Sequence, residues 1–326
     1  MCKVMMMAGI NDDNRENAWK FIKEMAKEMS PGNTDGCGYS AVATDGSLFG
    51  ERWHINSEAF INRELAPPLS ELEGDLLKVY KGAIVRPVAP VKYSKFGSLQ
   101  VDSIAAITLH TRFATSGRDF INTHPFVVGN TSLIHNGVIS NASQLEMKQS
   151  TCDSEAILNL YVKNQVFNKP KAIQDVADKL HGYYACGVLS KSKSAGVVLD
   201  IFKCDSANLT SAYVKELGMV FSTNVNDIKS VCTRLGFTVL HTFLFTNDTF
   251  LRLDALDGSV IDRVRFTSTS PIDVSSYRKE NKKYRNRSLP KEPITAKSPV
   301  MRSWTEEQTT DQEWLYQGDW DSWRKK

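Results

Sequence analysis

The chain has 326 residues, 41% of them hydrophobic and 24% charged, with a formal net charge of +3. This is globular composition with enough apolar side chains for a large core, and so small a charge excess does not by itself indicate nucleic-acid binding, which needs a concentrated basic surface. No run of about 18 apolar residues occurs, and the opening MCKVMMMAGINDDNREN lacks the long apolar region and cleavage site of a signal peptide, so a cytoplasmic protein without a helical membrane span is expected.

Residues 2–10 read as a short strand, and Asn14 to Met29 as a helix with Trp19, Phe21, Ile22, Met25 and Met29 along one broad face. Ser30, Pro31, Gly32 and Asn33 end it. Tyr39 to Val42 and Leu48 to Trp53 form a hairpin that turns at Asp45-Gly46. Residues 57–100 are punctuated by Pro67-Pro68, Gly74, Gly82, Pro87 and Pro90 and carry no clear period. From Ile104, the runs IAAITLHTRF and SLIHNGV have strand length, and each ends in a polar cluster, so chemistry is expected at strand ends.

Asp153 to Phe167 places Ala156, Ile157, Leu160, Tyr161 and Val162 at helical spacing, and Ala172 to Leu180 is a shorter helical segment. YYACGVLS, GVVLDIF, MVFST and TVLHTFLF read as strands, with a helix over Asn226 to Leu235 between the last two. Phe250 to Leu256 and Val260 to Phe266 make a hairpin at Asp257-Gly258. Antiparallel pairs, then helices, then strands again predict an α+β layered architecture with helices over both sheets, not a doubly wound parallel sheet.

Beyond Phe266 the composition turns to Ser, Thr, Pro, Lys and Arg, so residues 1–266 are expected to form the domain and 267–326 an extended or disordered tail. Within the tail, YRKENKKYRNRSLPK is basic, whereas WTEEQTTDQEWLYQGDWDSW joins acidic residues to Trp304, Trp314, Trp320 and Trp323. Three readings stay open for it: a docking peptide for a partner, an arm weakly suited to nucleic acid, or a solvated segment.

The six cysteines are scattered without a CxxC pair, which indicates neither a disulfide framework nor a zinc site. Cys37, Cys152, Cys186, Cys204 and Cys232 read as buried thiols, and only Cys2 is set apart, by position. A small residue after the initiator permits removal of Met1, leaving a thiol and an α-amine on one residue. With pKa values of about 8.5 and about 7.7 to 8.0, the amine can take the thiol proton near neutrality.

Four further segments follow in order: DGCGYSAV at 35–42, HTRFATSG at 110–117 with THP at 123–125, HNGVISN at 135–141 and CDSEAI at 152–157. Together with Cys2 they resemble the glutaminase domain of the class II glutamine amidotransferases, over roughly residues 2–260. The resemblance implies the four-layer αββα sandwich of the N-terminal-nucleophile hydrolases and hydrolysis of glutamine to glutamate and ammonia without metal or organic cofactor. It makes Cys2 the nucleophile and gives the oxyanion to the Asn136 side chain and the Gly137 backbone N–H. It assigns the substrate carboxylate to Arg112 and the substrate ammonium to Asp153, and puts Thr115 and His124 among the substrate-binding positions. His110 and His124 suit architectural or loop-positioning roles, since the amine already serves as base.

Plainer readings stand beside these: a salt bridge for Arg112, a turn for Asn136-Gly137, and a helix start for Asp153 with Glu155. Two positions depart from the family. Phe113 replaces a frequent tryptophan, and Lys3 sets a long cation beside the nucleophile, where it is expected to lower the thiol pKa or crowd the pocket. No synthase domain fits into the tail, so a separate ammonia-accepting partner is expected. The alternatives are an N-terminal-cysteine amidase acting on another amide, and a noncatalytic binding protein with the same fold.

Overall fold

In the computed structural model, residues 2–53, 104–114, 120–148 and 150–269 are described. The irregular stretch 57–100, Thr115 and nearly all of the expected tail lie outside them. The chain divides into two compact units, Met1–Ile272 and Asp273–Lys326, and every described residue belongs to the first.

The first strand, β1 (Lys3–Ala8), shows how the architecture arises. Val4, Met5, Met6, Met7 and Ala8 are all buried, so the strand needs apolar cover on both faces. Alternation supplies two covers: Val4 and Met6 join the core that contains the second sheet, and Met5 and Met7 join the core under the helices.

With β2 (Cys37–Ala43), β3 (Leu48–Trp53), β4 (Ile104–Thr111), β5 (Phe126–Val128), β6 (Thr131–Ile139), β7 (Gly182–Ser192), β8 (Gly196–Lys203), β9 (Thr210–Val214), β10 (Gly218–Ser222), β11 (Val239–Leu244), β12 (Thr249–Asp254) and β13 (Val260–Arg265), it builds two antiparallel sheets. The first runs β11-β9-β10-β1-β4-β2-β3 and the second β13-β12-β8-β7-β6-β5.

Helices α1 (Arg15–Met29) and α4 (Val225–Leu235) cover the first sheet, setting Phe21, Ile22, Met25, Ile228 and Val231 against Met5, Met7, Tyr39 and Leu109. Helices α2 (Asp153–Lys163) and α3 (Ile173–Ala177) cover the second, where the Tyr161 ring stacks on Phe202 with centroids 6.3 Å apart. The result is the four-layer αββα sandwich. No helix among the described residues is long and apolar enough to cross a membrane.

The two sheets approach closely. A Cβ on Gly187 of β7 would lie 2.4 Å from the sulfur of Met6 on β1, so a side chain there would require the Met6 side chain to move. Ser40 of β2 and Ser132 of β6 hydrogen-bond through their hydroxyls, joining the two sheets. On the outer side of the second sheet, Arg252 holds Asp200 in a buried two-pronged pair, with Nε at 2.7 Å and Nη2 at 2.6 Å, and the Tyr161 hydroxyl of α2 donates to the same carboxylate.

Several expected bounds shift for local reasons. The helix expected to reach Phe167 stops at Lys163, because Gln165 takes a left-handed conformation with φ +55°. Ala172 to Leu180 opens with a 3-10 turn and keeps only five α-helical residues. Strands β5 and β9 add to the expected elements, and at β5 three residues are too few for a period to register.

Candidate active site

Cys2 directly precedes β1, and β1 pairs with β4 in the register Lys3↔Thr111, so the next step of that register sets Cys2 opposite Arg112. The start of β1 is held on its other side by β10, through a hydrogen bond from Val4 N to Thr223 Oγ1 at 3.2 Å and one from Thr223 N to Val4 O at 3.2 Å. The Cys2 thiol donates to the Phe113 carbonyl at 3.4 Å.

The segment after β4 is itself clasped by the loop before β2. Arg112 N donates to Gly36 O at 2.8 Å, Asp35 N donates to Arg112 O at 3.1 Å, and Asp35 Oδ2 accepts from Ala114 N at 2.8 Å. Asp35 opens the DGCG motif, yet only the fold reveals that its carboxylate holds the backbone that carries Arg112. Arg112 is buried, at 3% exposure. Thr115 lies just past the described residues.

Asn136 and Gly137 are on β6. Ile134 pairs with Gly187, the residue that meets Met6, so this face of β6 looks toward the first sheet, and Asn136, two residues on, shares it. Gly137 is required by close approach: a Cβ there would lie 2.0 Å from the Tyr183 carbonyl oxygen. The turn reading of Asn136-Gly137 therefore fails, since both residues are inside a nine-residue strand.

Asp153 is the first residue of α2, with Cys152 in the cap position and making no side-chain cap bond. The Asp153 carboxylate reaches back to β6, where Oδ2 accepts from Ile139 N at 2.7 Å. Its negative charge also acts on the Cys2 thiol. Glu155 serves the local fold, accepting from Lys148 N at 2.8 Å and Ser150 N at 2.7 Å.

The electrostatics of this corner are set first by burial. Burial pushes the Cys2 thiol above its ordinary value. The Phe113 carbonyl, the chain's amino terminus and Arg112 work against that push, and Asp153 adds to it. Three buried histidines, His110, His124 and His135, cluster beside these residues in the chain. The His110 ring stacks on His124 at 3.9 Å, and the Ser154 hydroxyl lies 2.8 Å from His124 Nε2 and 2.9 Å from His135 Nδ1. Burial, reinforced by Arg112 and His135, pushes His110 down to about 3, and burial also lowers His124 and His135.

Such rings stay neutral near pH 7 and are poor bases there, which fits positioning roles. His124, at 3% exposure, is enclosed by His110, Phe126 and Ser154, a setting for holding neighbours rather than for touching a substrate. Ser154 went unnoticed in the sequence because a serine in a first helical turn looks like any other.

The expectation for Lys3 is corrected. Alternation along β1 sends its side chain to the helix side, where Nζ pairs with Asp227 Oδ2 at 3.0 Å and donates to Glu28 O at 3.3 Å. Asp227 belongs to α4 and Glu28 to α1, so the cation holds the helix layer and neither crowds the pocket nor figures among the charges that move the Cys2 thiol.

Among solved structures, glutamine phosphoribosylpyrophosphate amidotransferase from B. subtilis superposes with a TM-score of 0.53 and 14% identity, covering 81% of this chain and 49% of that one. The chain has the class II glutamine amidotransferase fold. A structure titled as the allosteric regulatory enzyme of purine biosynthesis gives the same figures for this amidotransferase fold. In sequence, the chain is 38% identical over 92 residues to glutamine–fructose-6-phosphate aminotransferase (isomerizing) of Staphylococcus aureus, and 31% identical over 91 residues to that of Acinetobacter baylyi. Each alignment covers 24% of this chain and 15% of the relative, so the chain matches only about 15% of the length of these curated relatives. No family model matches.

Proposed function

We propose that the chain hydrolyses the side-chain amide of glutamine, with Cys2 as the nucleophile once Met1 is removed, and that the ammonia passes to a separate synthase. The observation that carries this reading is that Cys2 lies in register with Arg112 beside β4, while Asp153, whose charge acts on the Cys2 thiol, is bonded to the end of β6 that carries Asn136 and Gly137. The amidotransferase fold and the local likeness to glutamine–fructose-6-phosphate aminotransferases support it.

In this reading Arg112 takes the substrate α-carboxylate and Asp153 the α-ammonium, with Thr115 completing the substrate set, so that the side-chain carbonyl faces Cys2. The free α-amine of Cys2 takes the thiol proton as sulfur adds to the carbonyl carbon, and Asn136 Nδ2 with the Gly137 N–H holds the oxyanion. The amine returns the proton to the leaving nitrogen, ammonia departs, and a thioester remains. Water then attacks the thioester carbon, releasing glutamate and restoring the thiol. Removal of Met1 creates the base. We assign residues 1–266 to this glutaminase and 267–326 to contact with the synthase.

The test is intact mass spectrometry of the full chain before and after 6-diazo-5-oxo-L-norleucine, with peptide mapping. The expected result is a chain lacking Met1 that takes one adduct, on Cys2. A chain that keeps Met1, or that takes no adduct at Cys2 while folded, overturns the mechanism.

A further inference from the structure

We infer that Ser154 is a positioning residue of this site: its hydroxyl bridges His124 Nε2 and His135 Nδ1, fixing both rings as single neutral tautomers and with them the strand that carries Asn136 and Gly137. The inference deepens the glutaminase reading and rests on it for its catalytic consequence.

The geometry is confined. Ser154 is 1% exposed, and its Oγ lies 2.8 Å from His124 Nε2 and 2.9 Å from His135 Nδ1. A hydroxyl has one proton and two lone pairs, so it can partner both ring nitrogens at once, and Cys152 Sγ donates to the same oxygen at 3.4 Å. The Asp153 carboxylate lies 3.9 Å from the same His135 Nδ1 that faces Ser154. Burial keeps both rings neutral, so each carries one proton, and the partner at Ser154 decides which nitrogen holds it.

The consequence for the site lies in what the three residues are attached to. His135 immediately precedes Asn136 on β6 and projects from the opposite face, so fixing its ring fixes the rotation of the strand that aims the Asn136 amide. Ser154 follows Asp153 in the first turn of α2, whose carboxylate is bonded to Ile139 N. His124 brings in the segment before β5 and stacks on His110 of β4. One hydroxyl thus ties β6, α2 and the 122–125 segment around the positions proposed to hold the oxyanion and the substrate ammonium. Replacing it with a methyl leaves two buried ring nitrogens without their partner.

The test uses the full chain with 15N-labelled histidine, whose nitrogen shifts report each tautomer directly. His124 and His135 are each expected as a single neutral tautomer in the wild type. In Ser154→Ala the His135 tautomer is expected to become mixed, with kcat for glutamine falling about tenfold or more while KM stays within about twofold, because the loss is of transition-state alignment. Ser154→Thr, which keeps the hydroxyl, should restore both. A mixture of tautomers at either ring in the wild type overturns the inference without recourse to any variant, and so does a Ser154→Ala protein with unchanged kcat. A wild type that turns over no glutamine yet holds a single tautomer at each ring supports the Ser154 bridge and defeats only the glutaminase reading.

Discussion

Asp153 carries two functions that one substitution separates. Its Oδ2 accepts from Ile139 N at 2.7 Å and docks α2 on β6, while its charge acts on Cys2 and, in the proposed reaction, on the substrate ammonium. Asp153→Asn keeps an acceptor for Ile139 and removes only the charge. A charged hydrogen bond of about 1.5 to 3 kcal/mol corresponds to roughly 10- to 150-fold, so KM for glutamine should rise by that factor with little loss of thermal stability. The sign at Cys2 is opposite in kind: Asp153 raises the thiol pKa, so its neutralisation should move the alkylation pH profile of Cys2 downward. A variant with unchanged KM and an unmoved profile would make Asp153 purely structural. In the sequence, Asp153 read equally well as a helix-starting residue. Both readings hold in part, because the first helical position is where a side chain reaches back to the preceding strand.

At the scale of the element, β1 shows which expectations a period supports. Its alternation was readable as soon as a strand was assigned, and it decides the fate of Lys3, which points with Met5 and Met7 toward α1 and α4. What was not readable is what lies on that side, since Asp227 is more than 200 residues away in the chain and the helix that brings it there is placed by the packing of Ile228 and Val231. Lys3→Ala should therefore leave KM for glutamine within about twofold while lowering stability by about 1 to 3 kcal/mol, the cost of depriving the buried Asp227 carboxylate of its cation. Urea unfolding paired with steady-state glutamine assays checks both halves. A tenfold change in KM would put Lys3 back at the pocket. The same limit applies to Asp35 and Ser154: both stand inside recognised motifs, but their roles depend on partners at sequence distances of 79 and 30 residues.

At the scale of the molecule, the layered class follows from the succession of strands and helices, whereas the strand order does not. β1 sits between β10 and β4, and no local pattern announces a neighbour two hundred residues later. That order matters because it buries β4 and β6 on both faces, and with them His110, His135 and the loop residue His124. The burial makes the fold acid-sensitive. All three histidines have folded pKa values below the ordinary 6.5, with His110 at about 3, so between those values the unfolded chain binds protons that the folded chain refuses. Stability therefore rises with pH across this window and falls on acidification from 6.5, by up to about 1.4 kcal/mol per pH unit for each ring. Asp200 and Asp227, whose carboxyls burial pushes up from 3.8, act in the opposite sense above that value. Between pH 7 and pH 5.5 the three rings together should remove about 2 to 4 kcal/mol, measured by urea unfolding at the two values with proton uptake followed on unfolding. Equal stabilities at the two values would mean that the rings accept protons in the folded state, and the neutral hydrogen-bonded cluster would then be wrong.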